Sequence, residues 1–203
     1  MSDSPPGRCG YTWDTDYSDR DSPSQENCCW RETVEDADSC IWHADPDQVK
    51  KSVEKLRRAR ASPEVREQNS PFAELLDGAR LEGYELGDAI SFKRTALRDS
   101  SLTGAELIDA HFTNSDLTES NLTNAILVNA DLADAALAGA DLTNADLWGA
   151  YLSGADLASA DLANVRISHG NLTGANLWNA DLTDGNLSDT DLNGANLEHA
   201  ILV

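Results

Sequence analysis

The sequence predicts an all-β repeat fold, a coil in which each short side holds one repeat, and three observations predict it. From about residue 90 onward one pattern recurs every five residues: a small residue, Asp or Asn, Leu, then two variable positions. Ala140-Asp141-Leu142, Ala155-Asp156-Leu157 and Ala180-Asp181-Leu182 are examples. Leu, Phe or Ile holds every fifth position from Phe92 to Leu202, 23 in succession. Gly and Asn gather two places after the Leu, as at Gly104, Asn114, Asn124, Gly139 and Gly149. A fixed short period is the mark of a repeat architecture.

The period itself excludes the ordinary elements. An α-helix repeats near 3.6 residues and a strand every 2, so a five-residue period is neither an amphipathic helix nor a common sheet. One Leu per five residues asks for a short extended piece and then a bend. The small residue two before the Leu fits inside a tight corner. The Gly or Asn two after it suits a backbone with φ above zero. Every side of the coil then points its Leu inward.

These Ala-(Asp/Asn)-Leu-x-x units resemble the pentapeptide-repeat family, over roughly 114 of 203 residues. The resemblance implies a right-handed quadrilateral parallel β-helix with four repeats per coil. The 23 repeats then make five to six coils. Stacked at about 4.8 Å, they give a rod roughly 25–28 Å long around a leucine column. Two repeats, Ile90 to Arg94 and Val165 to His169, lack both the small and the Asp/Asn residue. Leu81 and Leu86 are spaced correctly but stand one place out of register with Phe92. The regular rod is therefore expected over residues 90–203, with a distorted lead-in.

The chain carries 36 acids against 15 bases, a net charge of −21. Such a charge speaks to solubility and partners rather than to fold. Adaptation to a high-salt cell and mimicry of DNA by an acidic rod both account for it. Acid is also dense outside the repeats, at Asp14, Asp16, Asp19, Asp21, Glu35, Asp36 and Asp38, which favours the halophilic account. Direct nucleic-acid binding by the rod is not expected, since phosphate contacts draw on Lys and Arg. No stretch resembles a signal peptide or a membrane span, so a soluble cytoplasmic protein is expected.

Residues 1–45 read as a separate module holding all four Cys and three of the five Trp. A segment this short rarely folds on its core alone, and metal is a common remedy. Cys40-x-x-His43 has the spacing of half a tetrahedral zinc site. Cys9 and one of the adjacent Cys28 and Cys29 would complete it, leaving the other thiol buried. The alternative is a Cys/Trp cluster packed on the rod without metal.

Residues 46–89 read as a helical linker and N-terminal cap. Asp45-Pro46 suits a helix start. Val49, Val53 and Leu56 share one face of that helix, while Lys50, Lys51, Lys55, Arg57, Arg58 and Arg60 cover much of the rest. A second helix is expected from Ser70-Pro71 through Phe72, Leu75 and Leu76 to Gly78. The first coil of a β-helix has open strand edges that need a cover, and these apolar faces are candidates for it. The basic stretch would lie against the acidic rod or, as an alternative, touch nucleic acid.

Residues twenty apart should stack, which turns the sequence into a surface map. Ile108, Val128 and Trp148 fall in one outward column with Ile126 beside them, a candidate partner-binding stripe. At the other end Leu187, Leu192, Leu197 and Leu202 would lie bare on the last coil. Two rods meeting there would form a homodimer; a longer chain would also cover them.

No phosphate loop, His-Glu-x-x-His or nucleophile-base pair is present, and the four His are scattered at positions 43, 111, 169 and 199. The expected function is therefore a non-enzymatic interaction or scaffold module that presents an acidic rod to a protein partner. The family resemblance implies an alternative, a DNA mimic that binds a type II topoisomerase. A soluble regulatory segment of a larger membrane or signalling protein is a further alternative.

Overall fold

The computed structural model describes residues 11–12, 28–29, 74–76, 78–87 and 91–203. Strands β1 (Tyr11–Thr12) and β2 (Cys28–Cys29) pair antiparallel, with Tyr11 opposite Cys29. Strands β3 (Glu74–Leu75) and β4 (Thr95–Ala96) pair in parallel. Beyond β4 the coil continues as single parallel bridges between residues twenty apart, such as Asp141 to Asp161 to Asp181. Cys9, Cys40, His43 and the helix expected after Pro46 lie outside the described residues.

The bridges define four faces, taken in chain order around each turn. Face 1 runs through Ala96, Asp116, Ala136, Asp156, Asn176 and Asn196. Face 2 carries Asn121, Asp141, Asp161 and Asp181. Face 3 carries Glu106, Ile126, Asp146, Arg166 and Asn186, and face 4 carries His111, Asp131, Tyr151, Asn171 and Asp191. Faces 1 and 3 therefore lie on opposite sides.

Why this sequence coils can be followed through the backbone donors of one repeat. The Asp141 N–H donates to Ser120 O in the coil before, at 3.0 Å. The Leu142 and Asn144 N–H groups donate to Asp161 O and Ala163 O in the coil after, at 2.7 and 2.9 Å. The Ala145 N–H closes the corner on Leu142 O at 2.9 Å. One donor remains, the outward N–H of Thr143, and the Asp141 Oδ1 accepts it at 2.9 Å. Buried or not, each backbone donor wants an acceptor, and the Asp/Asn of the repeat supplies the one that the ladder cannot.

The other repeat positions follow from the same turn. The second residue after each Leu takes a left-handed conformation, as in Asn144 (φ 58°) and Asn164 (φ 57°). Asn and Asp tolerate that region and Gly is free in it, which is why these types recur there. At Gly154 (φ 69°) a Cβ would also stand 2.5 Å from the Asp134 Oδ1 above. The Leu and the small residue two before it both point inward, and Leu142, Leu147, Leu152 and Ala140 have no exposed surface. Phe92 and Phe112 stack in the same column, with ring centroids 5.0 Å apart.

The coil starts earlier than expected. Glu74–Leu75 is a strand rather than the end of a helix, and Leu76, Leu81 and Leu86 are fully buried in the common core. Gly78 and Gly83 sit two places after Leu76 and Leu81 with φ of 69° and 65°, as corners of the coil. In this first turn partners stand one residue further apart, Arg80 with Ser101 and Glu85 with Glu106. One extra residue between Leu86 and Phe92 accounts for the shift, so spacing survives while register slips.

Candidate interaction surface

The outward column of face 3 is Ile108, Val128, Trp148, Ser168 and Ser188. It is held in register by bonds such as the Asp109 N–H to Val128 O and the Asn129 N–H to Trp148 O, both 2.9 Å. Ile108 is 41% exposed and Trp148 37%, while Val128 and Ile126 are half-buried. Ile108 stands bare because its upper neighbour is Gly87, whose Cβ would meet Ile108 O at 3.0 Å. At the lower end the Trp148 ring meets His169 edge-on, with centroids 5.7 Å apart. Beside it Arg166 Nη1 donates to Asp146 Oδ2 at 2.8 Å. Glu106 and Asp109 are exposed on the same rungs as Ile108, so an aliphatic stripe runs between carboxylates.

Backbone chemistry also marks the stripe on face 3. Most rungs close the outward N–H with an Asp or Asn side chain two residues earlier: Asp116 for Thr118, Asp131 for Ala133, Asn171 for Thr173. Glu106 and Ile126 occupy that place on two successive rungs of face 3. The N–H groups of Ile108 and Val128 have no acceptor among the described residues. Trp148, one rung on, is closed by Asp146 at 3.0 Å.

Face 1 carries a second exposed tryptophan, which the sequence reading did not single out. Trp178 is 43% exposed beneath Ala158 and Ala138, and it meets His199 edge-on at 6.1 Å. It lies thirty residues after Trp148, one and a half turns, and so faces the opposite way.

On face 2 the carboxylates are engaged rather than bare. Burial pushes the Asp141 carboxyl up, but bonds from the Thr143 hydroxyl, the Thr143 N–H and the Thr123 hydroxyl outweigh it and hold it below the ordinary value. The Asp181 carboxyl is likewise lowered, by the Thr183 hydroxyl and N–H, against a smaller burial effect. Leu187, Leu192 and Leu197 are half-buried and Leu202 is 54% exposed. Of the candidate metal ligands, Cys28 and Cys29 have a described backbone, in β2 against β1. No helix among the described residues is long and apolar enough to cross a membrane.

A family model for pentapeptide repeats matches residues 90–128, 130–168 and 171–203. The chain belongs to the pentapeptide-repeat family. Among curated proteins none matches the sequence. Among solved structures, it is similar to a pentapeptide-repeat protein of the Arabidopsis thaliana thylakoid lumen, at 32% identity over 61% of this chain and 75% of that one, with a TM-score of 0.36. It is also similar to HetL, a protein involved in heterocyst differentiation regulation in the cyanobacterium Nostoc, at 26% identity over 75% and 95%, with a TM-score of 0.28. A third is the plasmid-mediated fluoroquinolone resistance protein QnrB1, at 18% identity over 64% and 88%, with a TM-score of 0.31.

Proposed function

We propose that this chain is a non-enzymatic interaction module, an acidic β-helical rod that offers face 3 to a protein partner. One observation carries the reading: Ile108 and Trp148 stand exposed in one column, with half-buried Val128 and Ile126 between them, on a rod that buries its leucines from Leu76 to Leu182. Contiguous apolar surface on a folded protein marks a contact site more often than a neutral one. A photo-crosslinking residue at position 128 tests it, with position 163 on face 2 as the control. A discrete adduct from 128 alone, lost with Ile108→Glu, is expected. Equal adducts from both positions, or none, would remove the assignment.

A second reading, binding to a type II topoisomerase as a DNA mimic, draws on the acid. Asn closes the outward N–H as well as Asp does, so the fold does not require the negative charge, and the surplus is available for a partner. Supercoiling by DNA gyrase with increasing amounts of the chain is the assay; unaffected supercoiling retires this reading.

Two subsidiary proposals complete the picture. A second copy meets the coil of Leu187, Leu192, Leu197 and Leu202, which sedimentation would show as a dimer broken by Leu197→Glu. One zinc ion is held by Cys9, Cys28 or Cys29, Cys40 and His43, and the pairing of β1 with β2 supports this by setting Cys28–Cys29 beside a segment two residues from Cys9. Elemental analysis of chelator-free protein should find about one zinc per chain, lowered by Cys40→Ser. Metal-free protein with an unchanged Cys40→Ser variant would leave a packed thiol cluster.

A further inference from the structure

The geometry points to a basic, apolar peptide segment as the partner of face 3, bound partly through its main-chain carbonyls; this rests on the interaction role proposed above. The open N–H groups of Ile108 and Val128 belong to adjacent coils and lie about 5 Å apart. They are successive outward donors that no side chain closes, as Glu82 and Thr103 are on face 2, and on face 3 both belong to the aliphatic stripe itself. A ligand there gains most by bringing acceptors together with apolar groups, since a donor covered by apolar surface alone loses its water. Those acceptors must be neutral. Glu106 and Asp109 line the stripe and repel carboxylate or phosphate, while Arg166 and Asp146 are engaged with one another. Main-chain carbonyls are neutral acceptors, and Lys or Arg on the same segment would answer the flanking acids. An extended peptide of alternating apolar and basic residues combines all three features. Nucleic acid supplies charged acceptors and fails the charge condition.

Asn at the closing position is the natural probe, because Asn171 and Asn176 hold the Thr173 and Trp178 N–H groups in the native rod, at 2.9 and 3.2 Å. Ile126→Asn should close the Val128 N–H without disturbing the coil. Ile126→Ala removes the same aliphatic group and leaves the donor open, as Ala136 does for Ala138. Ala136→Asn makes the same closure on face 1. The measurement is fluorescence anisotropy of short labelled peptides, alternating Leu with Lys or Leu with Glu, titrated with the full chain. The Leu/Lys peptide should bind more weakly as salt rises, and the Leu/Glu peptide should not bind. Ile126→Asn should bind about fivefold more weakly than Ile126→Ala, the worth of one hydrogen bond. Ala136→Asn should match the wild type. Equal binding by Ile126→Asn and Ile126→Ala would overturn the role of the donors, while a crosslink from position 128 would still stand for the interface. Equal binding of both peptides, or of neither, would overturn the stated partner chemistry. Self-association of the chain alone that Ile108→Glu abolishes would give the stripe to a second copy and overturn it as well.

Discussion

Ser100, Ser115 and Ser120 stand at the inward small position where later coils carry Ala, and their hydroxyls fare differently. The Ser100 Oγ donates to Leu76 O at 3.3 Å and accepts from the Ala79 N–H at 3.1 Å. The Ser120 Oγ donates to Leu117 O at 2.6 Å. The Ser115 Oγ is buried with no partner among the described residues. A buried hydroxyl without a partner keeps its desolvation cost and gains nothing. Ser115→Ala should therefore raise stability by about 1 kcal/mol, while Ser100→Ala should lower it by a similar amount. Urea denaturation of both variants measures this, and a destabilised Ser115→Ala would mean that the hydroxyl has a partner after all. The carboxyls of Asp141 and Asp181 make a second residue-scale prediction. Both are held below their ordinary value by hydrogen bonds. A lowered carboxyl stabilises the fold above its unfolded pKa of about 4, and that contribution is lost as pH falls through the folded value. Relief of repulsion on protonation would act in the opposite direction, but at these two sites the bonds win. The urea midpoint should fall as pH drops below about 4, less so in Asp141→Asn. A midpoint that rises on acidification would reverse the assignment.

Each side of the coil is a stack, and size must balance along it. Val165 replaces the usual Ala at the inward position of face 3, and Gly185 lies directly beneath it. A Cβ on Gly185 would meet Val165 Cγ1 at 3.4 Å, Leu187 Cδ1 at 3.3 Å and Leu182 O at 3.0 Å. Large sits over small. Gly185→Ala should lose about 1 kcal/mol by overpacking, and Val165→Ala a similar amount by leaving a gap. The double variant restores the Ala-on-Ala stack of Ala105, Ala125 and Ala145, so it should cost less than the sum. Thermal melts of the four proteins form a cycle in which strict additivity would contradict the pairing. The stack was legible in the sequence, because a five-residue period with an inward Leu has few physical solutions. Its start was not. Leu75 and Leu76 after Pro71 have the look of a helix turn, and the extra residue before Phe92 breaks the count without breaking the coil. Gly78 read as a helix end because a left-handed glycine serves a helix end and a coil corner equally well. On face 3, twenty-residue spacing was enough to align Ile108, Val128 and Trp148. The open donors were also written in the sequence, as Glu106 and Ile126 in the Asp/Asn place, but their meaning needs the inventory of backbone bonds. Trp178 escaped because its column neighbours, Ala138 and Ala158, are too small to announce a stripe.

Over the whole rod, charge is spread rather than gathered. From residue 91 onward sixteen acids face four bases, and acids stand on all four faces. The column most exposed to self-repulsion is Asp141, Asp161 and Asp181, bridged in successive coils. Like charges opposite one another across strands destabilise a sheet. At about 5 Å, two unit charges repel by on the order of 0.8 kcal/mol in water and more near a protein surface. Each of these Asp residues also closes a backbone N–H, with Asp161 Oδ1 accepting from Ala163 at 3.0 Å. The column is thus bonded to the coil and repelled within itself, and the two effects separate cleanly. Asn at position 161 keeps the bond to the Ala163 N–H, as Asn171 keeps its own at 2.9 Å, and removes the charge. Salt shortens the Debye length from about 10 Å at 0.1 M to about 3 Å at 1 M, which screens the repulsion but not the bond. Wild-type stability should therefore climb from low salt to molar KCl. Asp161→Asn should start higher at low salt and climb less. Some salts also strengthen apolar burial, but that contribution is common to both proteins and leaves their difference untouched. Parallel salt slopes for the two would mean that the carboxylates of this column do not sense one another, and that the rod tolerates its charge without added salt.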